Sequence, residues 1–137
     1  MRDEGGAFGG EVSGHYYFAD FYNADSGTIP ALLILELLSK KGQRLSELLD
    51  RFRTKYFISG EINSTVADGQ AKMRELAERY GDGEVSWLDG VSVDFPDWHF
   101  NVRPSNTEPL LRLNLESLVS REDMERRRDE VLAIIRS

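Results

Sequence analysis

Apolar positions recur along the chain at two different periods, and the change between them divides the sequence. Near the start the helical period dominates. Leu32, Leu33, Ile34, Leu35, Leu37 and Leu38 make the stretch from Ile29 to Leu38 apolar almost all round, broken by Glu36. Asp25, Ser26 and Thr28 offer N-cap groups, Pro30 suits a first turn, and Gly42 is a stop. Such a helix expects cover on more than one side. A second helical pattern, Leu45, Leu48, Leu49 and Phe52, ends near Thr54. Ahead of both lie a glycine-rich loop through Gly14 and an extended aromatic stretch, Tyr16-Tyr17-Phe18. One strand and two apolar helices do not close a domain, so residues 1–54 read as an incomplete piece of an α/β domain whose earlier elements are missing. The uncovered helix is expected to promote self-association, or partial disorder before Lys55.

From Lys55 the pattern becomes self-contained. Tyr56, Ile58 and Ile62 alternate as in a strand. Asp68 can cap a helix that buries Met73, Leu76, Ala77 and Tyr80 and stops at Gly81-Asp82-Gly83. Val85 and Trp87 alternate, Asp89-Gly90 is a hairpin turn, and Val91, Val93 and Phe95 return. Trp98, Phe100 and Val102 follow, then Leu111, Leu113 and Leu115 after another loop. Both tryptophans are expected in the core. Ser120 with Asp123 resembles a capping box opening a last helix that buries Met124, Val131, Leu132 and Ile135. The order strand, helix, four strands, helix predicts an α+β domain over 55–137 with a mostly antiparallel sheet.

Composition narrows the function. An apolar fraction of 40% in 137 residues suits a globular chain. A net charge of -7 argues against nucleic acid or an anionic membrane as the main partner. A small anion remains open, because a few placed guanidiniums override the average field locally. The absence of cysteine excludes disulfides and thiolate chemistry and fits a cytoplasmic home. Residues 1–6 have no apolar run and are not expected to be a signal peptide. The run from Ile29 to Leu38 falls well short of the ~20 residues a membrane crossing needs.

Two loops carry chemistry. In Gly9-Gly10-Glu11-Val12-Ser13-Gly14-His15, side chains two apart share a face of an extended backbone, which groups Glu11, Ser13 and His15. A carboxylate, a hydroxyl and an imidazole suit neighbouring sugar hydroxyls; the plainer reading is a polar turn. In Arg103-Pro104-Ser105-Asn106-Thr107-Glu108-Pro109, Arg103 supplies a planar fork matched to phosphate oxygens. Ser105, Asn106 and Thr107 add short donors, and their backbone N–H groups can form an anion-binding concavity. Here the plainer reading is a strand-to-strand loop, and Glu108 counts against a simple phosphate cradle.

Weaker candidates have structural explanations. His99 sits in a strand pattern near Asp97, and Arg126-Arg127-Arg128 lies among carboxylates as a solvated helix face. No His and carboxylate cluster has metal-ligand spacing.

The ordered pair of loops resembles the α-D-phosphohexomutases, the phosphomannomutase/phosphoglucomutase family. The first loop is similar to that family's sugar-binding loop at the end of its third domain, the second to the phosphate-binding loop of its fourth. The resemblance covers essentially the whole chain. It implies that residues 1–54 end the third domain and 55–137 form a TATA-binding-protein-like lid domain. It also implies a parent enzyme that interconverts hexose 1-phosphate and hexose 6-phosphate through a phosphoserine and a bisphosphorylated sugar, assisted by Mg²⁺. Neither the serine loop nor the acidic metal loop of that family occurs in this chain, so the metal ligands are expected upstream and the isolated chain is expected to be inactive. Carried over, Glu11 and Ser13 bind sugar hydroxyls, His15 is the candidate for proton transfer, and Arg103, Ser105, Asn106 and Thr107 hold the non-reacting phosphate. The implied partners are mannose or glucose phosphate and the upstream domains. Asn106 leans toward the phosphomannomutase or dual-specificity enzymes, and Ala19 departs from a basic residue in relatives. The competing readings are a non-enzymatic α+β interaction domain and a stand-alone sugar-phosphate sensor.

Overall fold

The computed structural model describes residues 5–11, 13–105 and 107–137. The chain forms two compact units, Met1–Leu49 and Asp50–Ser137.

The first unit holds three short strands where one was expected. β1 (Phe8–Gly10) pairs with β2 (Tyr16–Phe18), and β2 with β3 (Ala24–Asp25), all antiparallel. Gly9 and Gly10 therefore belong to a strand, because the turn behind them closes a hairpin. α1 (Thr28–Lys41) starts under a hydrogen bond from Ile29 N–H to Ser26 Oγ at 3.2 Å. Asp25 does not cap it; its carboxylate accepts from Tyr16 N–H at 3.0 Å and ties β3 to β2. α1 ends at Gly42, which takes φ +60° and donates its N–H to Leu38 O at 2.9 Å. None of its residues is buried: Leu32 is 60% and Leu35 58% exposed. α2 (Leu45–Arg53) follows.

The second unit supplies nearly all the buried core. Its sheet runs in the order β4 (Phe57–Ile58), β9 (Leu110–Ser117), β8 (Trp98–Pro104), β7 (Val91–Asp94), β6 (Glu84–Ser86), and β5 (Ile62–Thr65) also pairs with β9. All pairings are antiparallel. The single strand expected over Tyr56, Ile58 and Ile62 is thus two, separated at Gly60 (φ +70°). Ser59 closes the gap: its N–H donates to Leu115 O at 2.8 Å, and its Oγ accepts from Leu115 N–H at 2.9 Å.

α3 (Gly69–Arg79) and α4 (Arg121–Ile135) cover one face of this sheet. Met73, Leu76, Met124, Val131 and Ile135 pack there against Val91, Val93, Phe100, Val102, Leu111, Leu113 and Leu115. Period two then sends Asn101, Arg103, Arg112 and Asn114 to the opposite, polar face. Asp68 caps α3 by accepting from Ala71 N–H at 2.9 Å. Ser120 caps α4 in the same way through Asp123 N–H at 3.1 Å, but the expected capping box is only half formed. The Asp123 carboxylate turns instead to Ser117 Oγ at 2.8 Å and to Arg127 Nε and Arg126 Nη2, each at 2.7 Å.

The expectation for Trp87 fails. Strand β6 ends at Ser86, so the alternation that would carry Trp87 inward stops one residue early, and the ring is 50% exposed at the hairpin tip. Trp98 is buried, stacked on Phe95 at 4.6 Å between ring centroids.

Candidate functional site

The first loop is the tip of the β1–β2 hairpin. Glu11 N–H donates to His15 O and Gly14 N–H to Glu11 O, both at 3.0 Å, with Gly14 at φ +84°. This tight turn, rather than an extended backbone, brings Glu11, Ser13 and His15 together. Ser13 Oγ donates to Glu11 Oε2 at 2.9 Å and lies 2.8 Å from His15 Nδ1. A hydroxyl has one proton, so with Ser13 donating to Glu11, Nδ1 of a neutral His15 is the protonated nitrogen and Nε2 keeps its lone pair. The network is a relay of three side chains that leaves one basic nitrogen for a ligand.

Tyr17 belongs to the same network, and the sequence reading missed it. Its hydroxyl donates to Glu11 Oε1 at 2.6 Å. The signal was present: the every-second-residue rule that grouped positions 11, 13 and 15 continues to 17. The Tyr17 hydrogen bond, followed by that of Ser13, holds the Glu11 carboxyl below its ordinary range. The same hydrogen bond raises the Tyr17 phenol above its ordinary value.

The second loop joins β8 to β9, and its position follows from register. Arg103 pairs directly with Arg112, so two guanidiniums stand side by side on the polar face. Arg112 Nη2 donates to Ser105 Oγ at 3.3 Å, which also lies 3.4 Å from Thr107 Oγ1. Arg112 is a second residue missed from sequence. Its signal was the inward run Leu111, Leu113, Leu115, which forces position 112 outward beside Arg103. Asn106 lies outside the described residues. The expected backbone concavity is not available from its neighbours: Ser105 N–H is spent on Leu110 O at 2.9 Å, and Thr107 N–H points to Ser105 Oγ at 3.4 Å. Among the described residues of this loop, the groups left for an anion are guanidiniums and hydroxyls.

Both arginines have protein partners. Arg103 Nη2 bonds Glu61 Oε2 at 3.1 Å, and its Nη1 lies 3.9 Å from Asp89 Oδ2. Arg112 Nη1 lies 3.5 Å from Glu61 Oε1. The two arginine side chains keep 33% and 29% of their surface. Among the described residues, Arg112 Nε is a buried donor without a hydrogen-bond partner. Ser105 also lines an open cavity of about 300 Å³ with Pro104, Glu108 and Pro109, so the loop is open to solvent.

The remaining candidates are structural. His99 Nδ1 lies 3.3 Å from Asp94 Oδ1, on the polar face. Arg126 bonds Asp123 and Glu130, as a solvated face predicts. Arg127 does not fit that description, because its guanidinium lies 4.4 Å from the Trp98 ring centroid and only 20% of the side chain is exposed. Among the described residues, no group of three or more His, Asp or Glu side chains could hold a metal ion, and no helix is long and apolar enough to cross a membrane.

Comparison with known proteins gives the chain its relatives. Residues 1–56 match the family model described as phosphoglucomutase/phosphomannomutase, alpha/beta/alpha domain III, and residues 61–134 match the C-terminal domain of the same family. The chain is 46% identical over 138 residues to a protein of Xanthomonas campestris pv. campestris (strain B100) named phosphohexose mutases, covering 99% of this chain and 31% of that protein. It is 44% identical over 139 residues to a phosphomannomutase of Salmonella montevideo, covering 100% of this chain and 30% of the relative. A crystal structure of a phosphoglucomutase/phosphomannomutase family protein from Burkholderia thailandensis superposes with a TM-score of 0.73 at 30% identity, over 97% of this chain and 28% of that one. The chain thus spans about 30% of the length of the relatives it matches. With both of its units matched in order and its α+β architecture shared with a solved member, the chain belongs to the phosphoglucomutase/phosphomannomutase family.

Proposed function

We propose that this chain is the C-terminal, substrate-binding part of a cytoplasmic phosphomannomutase/phosphoglucomutase, with residues 1–54 ending its third domain and 55–137 forming its fourth. The whole enzyme interconverts hexose 1-phosphate and hexose 6-phosphate through a phosphoserine and a bisphosphorylated sugar. The observation that carries this reading is the pair Arg103 and Arg112, side by side with Ser105 Oγ between them and the loop end. Planar guanidiniums with a hydroxyl alongside match the oxygens of a phosphoryl group. Thr107 and Asn106 complete the set, and Arg112 is added to it.

The first loop reads the sugar. Glu11 accepts from hydroxyls, Ser13 both donates and accepts, and His15 Nε2 is the nitrogen able to take a proton from, or return one to, a sugar oxygen. Holding the non-reacting phosphate at the second loop uses binding energy remote from the chemistry to orient the reacting end. The Mg²⁺ of the whole-enzyme reading finds no ligand set among the described residues, and its ligands would come from the upstream domains.

The test is to incubate the highly purified chain with mannose 1-phosphate and with glucose 1-phosphate, following turnover and binding separately. Weak saturable binding without turnover is expected. Turnover would contradict the assignment as a part of an enzyme, and absence of binding would return the chain to the alternative of an α+β interaction domain.

A further inference from the structure

Glu61 occupies the place where an anion held by the two arginines would have to bind. It follows Gly60 in the short connection between β4 and β5, and one of its oxygens serves each arginine: Oε2 takes Arg103 Nη2 at 3.1 Å, and Oε1 lies 3.5 Å from Arg112 Nη1. The pairing of β8 with β9 sets two like charges directly opposite each other, an arrangement that destabilises a sheet unless an opposite charge relieves it. Glu61 provides that relief. Asp89 is a poorer counter-ion, since it is 73% exposed and approaches only Arg103, at 3.9 Å.

With Glu61 and Asp89 in place, the charge of the arginine pair is locally balanced. A phosphoryl group needs the same N–H groups, and two anions sharing them repel each other. The connection that carries Glu61 is short and places Gly60, at φ +70°, just before it, and the side chain is 31% exposed, so it has solvent to turn into. We propose that Glu61 is a resident competitor: its carboxylate fills the arginine pair in the ligand-free protein and leaves it when phosphoryl oxygens arrive. The proposal rests on the phosphate-site reading above and adds what that site holds between ligands. It makes phosphate affinity the difference between two anions, weaker than bare arginines would give and quicker to release.

The experiment compares wild-type chain, Glu61→Gln and Arg103→Ala, each titrated calorimetrically with mannose 1-phosphate. Glu61→Gln removes the competing charge with little change of shape and is expected to bind about three- to tenfold tighter. Arg103→Ala is expected to lose binding by at least roughly tenfold. If Arg103→Ala binds like wild type, or if none of the three binds, the phosphate-site reading falls and takes this proposal with it. If Arg103→Ala loses binding while Glu61→Gln binds equally or less well, the site stands and the competitor proposal alone is overturned. A wild-type measurement covers a misfolded variant. The Glu61 side-chain carboxyl carbon should shift to the position of a free carboxylate on saturation, and an unmoved signal overturns the proposal.

Discussion

Gly90 lies directly against Arg103: a Cβ built on Gly90 would stand 2.6 Å from Arg103 Cα and 2.2 Å from Val102 O. Gly90 also takes φ +70°, which L side chains rarely adopt. The β6–β7 turn is therefore pressed onto the strand that presents Arg103, with Asn101 Nδ2 donating to Asp89 O at 2.8 Å. Gly90→Ala should cost roughly 3 kcal/mol, by strain and by displacement of β8. Chemical denaturation measures it, and a loss below about 0.5 kcal/mol would show that the turn is not pinned there.

Tyr17 and Glu11 predict a pH response in the first loop. Because the folded Glu11 carboxyl lies below its ordinary value, its contribution to loop order is fully present above the ordinary glutamate range and is lost as pH falls through the lower, folded value. Tyr17→Phe removes the largest cause and should move the Glu11 titration up toward its ordinary value. Side-chain carboxyl NMR follows it directly; an unshifted midpoint would mean the hydrogen bond does not persist in solution.

Asp123 ties the end of β9 to α4. Desolvation pushes its carboxyl up, but hydrogen bonds from Arg127, Ser117 and Arg126 outweigh it and leave the group below its ordinary value. Its stabilising contribution is thus present above the ordinary aspartate range and fades as pH falls through the lower folded value. Ser117 is fully buried and donates to Asp123 while accepting from Val119 N–H at 3.1 Å, so Asp123→Ala strands a buried O–H donor. A loss of about 1–3 kcal/mol at neutral pH is expected, shrinking on acidification. A loss that stays constant down to acid pH would argue against the ion-pair origin.

α1 and β8 should differ widely in amide exchange. α1 buries none of its residues, whereas Trp98, Phe100 and Val102 of β8 are buried. Exchange should therefore be fast from Thr28 to Lys41 and slow from Trp98 to Arg103. The exposed leucines of α1 also favour self-association, which dilution should reverse. A monomeric chain with α1 as protected as β8 would contradict both statements.

Much of the second unit was legible because its inward residues follow one rule without interruption. Leu111, Leu113 and Leu115, and Trp98, Phe100 and Val102, alternate over strands long enough for period two to be decisive. Where strands are short the rule gave less: two residues of β4 and three of β6 were too few to reveal the break at Gly60 or the exposure of Trp87. The first unit's extra strands escaped for the same reason, since Phe8–Gly10 and Ala24–Asp25 carry no alternation to read. In the candidate sites, residues close in sequence to the glycines and prolines stood out. Period two placed Tyr17 and Arg112 on the right faces, but their partners, and those of Glu61, are set by pairing register and side-chain length, which only the folded chain displays.

The most direct measurement is an amide NMR titration of the chain with mannose 1-phosphate beside one with mannose. The account predicts shifts centred on Ser105, Thr107, Arg103 and Arg112 that the phosphate ester produces and the free sugar does not. Equal responses to the two ligands, or shifts that leave these four residues unmoved, would contradict it.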